Sequence, residues 1–207
     1  MRTNMRRFYM LAALSLGAAA SCDIEALPET EITDPNFWNS AGDVRLAANH
    51  FYRTLPGLSS EEVTQDNWST DAYPNDKGDP ISEGSRTAPA ENRRDYNDSY
   101  EKIYQANLLI EKAPEVIAKG ADAVEVNRYV GEARFFRAFY YFEMLKRFGG
   151  VPLITKTMMM DDPDIFLPRA TRDEVLQLIY DDLDYAITVL RTADEIEAAR
   201  EYGRIPK

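Results

Sequence analysis

Cys22 is the only cysteine in a chain of 207 residues. With no second thiol for a disulfide, it is either an ordinary unpaired thiol or a site for chemistry supplied from outside the chain. A second group of chemically able residues lies between Asp66 and Asn75: Asp66, Asn67, Trp68, Asp71, Tyr73 and Asn75. The flat faces of Trp68 and Tyr73 can lie against the C–H surface of a sugar ring, while Asp71 and Asn75 can take its hydroxyls. The competing reading for Trp68 is a plug for the domain's own core. Asp71, Asp76 and Asp79 suggest calcium, but no acid-led loop here has Gly at its sixth position and Glu at its twelfth. No metal site is assigned. Asp181-Asp182 supplies two carboxylates, yet neighbours on a helix point about 100° apart, which does not suit a glycosidase pair. His50 is the only histidine and sits beside Phe51 in a helical pattern, where packing or surface exposure is the ordinary role. There is no phosphate-binding glycine loop, no H-E-x-x-H and no C-x-x-C. Neither a catalytic residue nor a cofactor is expected.

The context of Cys22 explains it. MRTNMRR carries Arg2, Arg6 and Arg7, and an apolar run follows from Phe8 to Ala20. A basic start, a short apolar stretch and small residues at its end make a secretory signal. The run is too short for a membrane-spanning helix, which needs ~20 residues. Ala19-Ala20-Ser21-Cys22 resembles a bacterial lipobox, in which cleavage precedes the cysteine and its sulfur accepts diacylglycerol. Residues 1–21 are therefore read as a lipoprotein signal peptide and Cys22 as the lipidation site. Residues 22–39 read as an acidic tether, with Asp23, Glu25, Glu29 and Glu31 close together. That cluster is similar to the acidic export tag of surface lipoproteins in Bacteroidetes; a plain solvated tether is the alternative.

The formal net charge is −11, and loss of the three signal-peptide arginines makes it more negative. Nucleic acid and anionic membranes are poor partners for such a surface. Aromatic residues at 11% of the chain are enough to build a core, so acidity here does not imply disorder.

The elements follow from spacing. Ser40 and Asp43 form a helix start signal, and Val44, Ala48, Phe51 and Leu55 recur at helical intervals up to Pro56-Gly57. From Ser59 to about Arg94 periodicity fades into Asp, Asn, Ser, Gly and Pro, predicting a long irregular loop. A second helix is predicted from about Asp95 to Pro114, with Asn107 on its apolar stripe making an interhelical hydrogen bond. The third, from Val126 to Phe148, is apolar over much of its girth and must be covered on several sides. Gly149 and Pro152 end it. A spaced pair is expected between Arg128 and Glu132, and Arg134 and Arg137 are read as structural. Val151 to Thr155 is the only candidate strand. A fourth helix opens at Thr171 with Glu174 as its capping box. The chain stops at EYGRIPK with no terminal helix predicted, and a truncation is expected. The fold class is all-α, in antiparallel helix pairs, and Ala138, Phe142 and Pro152 match part of the tetratricopeptide pattern.

Several blocks then resemble one family. Gly131-Glu132-Ala133-Arg134-Phe135-Phe136-Arg137-Ala138, Tyr140-Tyr141-Phe142 and Phe148-Gly149-Gly150-Val151-Pro152-Leu153 are similar to the signature of the SusD/RagB family of outer-membrane nutrient-uptake lipoproteins. Phe37-Trp38 after an acidic tether, Tyr104-Gln105-Ala106-Asn107, Arg169-Ala170-Thr171 with Asp181-Asp182-Leu183, and Gly203-Arg204-Ile205-Pro206-Lys207 resemble further family elements in order. The resemblance implies that residues 40–207 are the N-terminal helical domain of a SusD-like fold, with tetratricopeptide-like stacked helix pairs. It implies a protein at the cell surface, lipid-anchored in the outer membrane, that captures glycans or peptides. It would deliver them to a SusC-like TonB-dependent transporter without bond chemistry. No family motif assigns a binding residue in the loop, so Trp68, Asp71, Tyr73 and Asn75 rest on their chemistry alone. The alternative function is a periplasmic tetratricopeptide-like adaptor lipoprotein with no nutrient ligand.

Overall fold

A computed structural model describes residues 37–55, 83–85, 87, 94–158 and 162–207. Among them lie five α-helices and one 3-10 turn, and no strand. Helix α1 spans Ala41–Tyr52, α2 Arg94–Ala118, α3 Ala123–Phe148, α4 Arg172–Val189 and α5 Ala193–Ala199.

The starts are set by side chains that meet the orphan N–H groups of a first helical turn. Ser40 accepts from the Asp43 N–H, and Asp43 returns a bond to the Ser40 N–H at 2.8 Å. Thr171 with Glu174 and Thr192 with Glu195 repeat this reciprocal arrangement at α4 and α5. Asp122 caps α3 through the Val124 N–H. The end of α3 falls at Gly149, whose φ of 72° lies in the left-handed region, where a side chain is strained.

α3 is the shared wall of the domain. It packs against α1, α2 and α4, and at 26 residues it is about 39 Å long. α2 runs antiparallel to it: Tyr96, near the start of α2, meets Phe148 at the end of α3 with ring centroids 5.3 Å apart. α4 is antiparallel on another flank, since a Cβ on Gly131 would touch Val189 while Arg137 meets Asp182. α1 lays Phe51 and Tyr52 against Phe136. Coverage on these flanks explains why α3 buries Tyr129, Phe136, Tyr141 and Met144 to 2% exposure or less.

Four sequence expectations need correction. α2 does not stop by Pro114 but continues to Ala118. Pro114 faces solvent while Ala113 and Val116 beside it are buried. Burial of Ala113 and Val116, with Ile117 packed on the core, together offsets the roughly 3 kcal/mol that an interior proline costs a helix. Residues 151–155 are not a strand. They form a strap whose polar backbone is satisfied by side chains, with Tyr100 donating to the Pro152 carbonyl and Tyr141 bonded to both backbone groups of Ile154. The short helix α5 follows α4 where no terminal helix is expected, started by the reciprocal bonds of Thr192 and Glu195. Glu132 pairs with Arg204, not Arg128; Arg128 instead reaches Glu201.

Phe37–Lys207 forms one compact unit. Phe37 and Trp38, at the end of the stretch read as tether, belong to its packing, and Trp38 is only 5% exposed.

Candidate functional site

The signature residues converge on two buried polar clusters. In the first, Arg137 on α3 grips Asp182 on α4 with a two-pronged contact, Nε and a terminal nitrogen each 2.7 Å from a carboxylate oxygen. Its other terminal nitrogen donates to Asn107 Oδ1 on α2 at 2.7 Å. Asn107 uses both amide hydrogens on the strap, donating to Ile154 O at 3.0 Å and Lys156 O at 3.2 Å. Arg134 lies 3.7 Å from the same carboxylate and stacks on Tyr185. Burial pushes the Tyr141 hydroxyl up to about 12, so it remains a neutral donor to the strap. Asn107, Arg137 and Asp182 are all buried, and both amide hydrogens and the side-chain oxygen of Asn107 are engaged within the protein. This cluster ties α2, α3, α4 and the strap together.

The second cluster ties the C-terminal segment to α3. Both oxygens of Glu132 accept from one nitrogen of Arg204, at 2.8 and 2.7 Å. Burial raises the Glu132 carboxyl above its ordinary value, against the opposing pull of Arg204. Arg204 also donates to Asn49 Oδ1 on α1 at 2.6 Å and faces the rings of Tyr52 and Tyr129.

Arg169 has a comparable task. It donates to Phe148 O and Gly150 O, satisfying carbonyls at the end of α3. Asp181 is exposed and bonded to Gln177, while Asp182 is buried, so the adjacent acids form no catalytic pair. His50 is exposed on α1. Among the described residues no group of three or more His, Cys, Asp or Glu could hold a metal ion. No described helix is long and apolar enough to cross a membrane.

Between α3 and α4 lies a groove of about 310 Å³, lined by Phe135, Phe139, Phe142, Leu176, Tyr180 and Leu183 among others. Its walls are hydrocarbon apart from the Tyr180 hydroxyl, so it offers little to fix the hydroxyls of a sugar. Cys22, Trp68, Asp71, Tyr73 and Asn75 all lie outside the described residues.

Antiparallel helix pairs sharing a central wall, with their polar signature residues spent on assembly, define an all-helical scaffold. The sequence blocks and the fold then point the same way. A family model described as SusD-like, "starch-binding associating with outer membrane", matches residues 29–200, and the chain belongs to this SusD-like family. The SusD-like protein P38 of Formosa agariphila is 32% identical over 185 residues, 85% of this chain and 36% of that protein. A SusD-like protein of Bacteroides fragilis superposes with a TM-score of 0.67 at 26% identity, covering 85% of this chain and 34% of that one. A laminarin-binding SusD-like protein superposes with a TM-score of 0.59 at 25% identity, over 80% of this chain and 36% of that one. The chain thus spans about a third of the length of these relatives.

Proposed function

We propose that this chain belongs to a lipid-anchored protein of the outer membrane that captures glycans at the cell surface. It hands them to a SusC-like TonB-dependent transporter and performs no bond chemistry. The family match over residues 29–200 carries the reading, because its description couples starch binding with the outer membrane. The laminarin-binding relative adds a second glycan binder of this fold. Cys22 supplies the anchor, through diacylglycerol on its sulfur.

The described signature arginines, Asn107 and Asp182 are committed to the scaffold. Recognition therefore falls to the segment between α1 and α2, with Trp68 and Tyr73 against the sugar faces and Asp71 and Asn75 on the hydroxyls. Loops held by a rigid scaffold are the usual place for such residues.

Affinity electrophoresis of the whole chain in gels containing laminarin or starch tests capture. Retardation is expected, and Trp68→Ala is expected to weaken it by about tenfold or somewhat less. Absence of retardation across a panel of neutral and acidic polysaccharides would refute the reading. Release of reducing sugar from any of them would show hydrolysis instead. Protease shaving of intact cells should remove the protein; protection would favour a periplasmic adaptor.

A further inference from the structure

A second pocket, away from the loop of Trp68, lies between α1 and the segment that follows α5. It has a volume of about 340 Å³, and its walls include Arg45, Asn49, Arg200, Glu201, Tyr202 and Arg204. That size lies within the range of small-ligand sites.

The charges in and around it are sorted in a specific way. Glu201, the acid in the pocket lining, is paired with Arg191 at 2.7 Å and Arg128 at 3.6 Å, and Glu132 nearby is paired with Arg204. Arg45 and Arg200 line the same pocket, and neither has an ion-pair or hydrogen-bond partner for its guanidinium among the described residues. Both arginines are exposed at this concavity, so their guanidinium groups are open to a partner from outside the described residues.

The backbone adds an independent observation. Arg200 has φ 55°, the only positive φ at a non-glycine among the described residues. It closes α5 in the left-handed conformation, with its N–H donating to Glu197 O and Ile196 O. Glycine is the low-energy residue for such a cap. An arginine there costs on the order of 1 kcal/mol, and strain of this kind gathers at functional positions. Among the described residues its guanidinium has no hydrogen bond or ion pair to offset that cost.

We propose that this pocket binds an oxyanion, the carboxylate or sulfate group of an acidic sugar. Arg45 and Arg200 supply guanidinium forks, which match such oxyanions in shape and charge. Asn49 has its oxygen occupied by Arg204, which leaves its amide N–H groups to donate to a neighbouring hydroxyl. Tyr202, 72% exposed at the rim, offers a flat face for the ring. The proposal rests on the glycan-capture reading and narrows its ligand to include acidic sugars at a subsite remote in sequence from Trp68. The overall negative charge repels polyanions at long range, so binding has to come from this pocket; salt screens the distant repulsion over about 8 Å at physiological ionic strength.

Matched probes test it: dextran against dextran sulfate, and galactan against polygalacturonate, by affinity electrophoresis of the whole chain. Retardation by an acidic polymer and not by its neutral counterpart is expected. Arg45→Gln and Arg200→Gly should each weaken it about tenfold, the loss of one charge-assisted contact. Arg200→Gly also relieves the left-handed strain, so its thermal midpoint should stay level or rise while binding falls, which separates recognition from misfolding. Acidic-polymer retardation unchanged in both variants would overturn the pocket. Retardation by neutral polymers alone would overturn it and leave glycan capture standing. Failure of every polymer, neutral and acidic, would sink both readings.

Discussion

Arg137 and Asp182 bring opposite charges into a nearly dry position, with side chains 6% and 1% exposed. Such a pair is favourable only while every prong is met, because an unmatched buried ion keeps its desolvation cost. Asp182→Ala should therefore lower unfolding free energy by about 3–5 kcal/mol, read from urea denaturation with an unchanged m-value. The double variant Arg137→Met/Asp182→Leu should recover much of that loss, since neither charge remains buried. Gly150 poses a steric question of the same scale. A Cβ there would lie 2.0 Å from the Ala170 carbonyl oxygen, a backbone atom that cannot rotate aside. Gly150→Ala is expected to cost about 1–3 kcal/mol. At Gly131 the nearest atom belongs to the Val189 side chain, which can adjust, so Gly131→Ala should cost less. Thermal unfolding of the two variants side by side checks the order.

At the level of elements, stability is distributed over helix starts. Removing the Ser40 hydroxyl leaves the Asp43 N–H without its cap, and Ser40→Ala should cost about 1 kcal/mol. The boxes at α4 and α5 carry a pH signature. Glu174 and Glu195 titrate below their ordinary 4.5 because the backbone N–H groups of Thr171 and Thr192 donate to the charged carboxylates, as does the Thr171 hydroxyl. A depressed value means their contribution is present above pH 4.5 and lost as pH falls through the lowered values. Glu132 has the opposite sign: burial raises it, so its contribution is full below 4.5 and fades as pH rises through the raised value. The variant Glu174→Gln/Glu195→Gln should therefore lose less of its thermal midpoint than the parent as pH drops below 4.5. Melts followed by circular dichroism at stepped pH measure this difference directly; parallel curves would contradict it.

For the whole molecule, α3 is a wall common to α1, α2 and α4, which argues for a single cooperative unfolding transition rather than stepwise loss of helices. Coincident near- and far-ultraviolet dichroism melts are the expected outcome. The anchor also belongs to this scale. Cys22→Ala should abolish palmitate labelling in cells; labelling at the parent level would remove Cys22 from the proposal.

The helices could be read from the chain because periodicity and capping act over three or four residues. Ser40 with Asp43, Thr171 with Glu174, and the greasy girth of Val126 to Phe148 each declare themselves within a turn or two. Asn107 lies on the buried stripe that its spacing predicts, and polarity on an apolar face demands partners. Which partners it has was not legible. Arg137 and Asp182 lie 45 positions apart, and Glu132 and Arg204 lie 72 apart, so a spacing rule assigned Glu132 to its neighbour Arg128 instead. Pro114 shows the same limit from the other side, because a local stop signal yielded to burial supplied by distant residues. The sequence by itself thus determined the four long helices, the starts of α1 and α4, the family resemblance and the acidic balance, all short-range or compositional properties. Only the tertiary structure decided which charges neutralise one another and which, such as Arg45 and Arg200, are left facing a shared cavity. Ion pairing depends on distances through space, and those exist only once the chain has closed on itself.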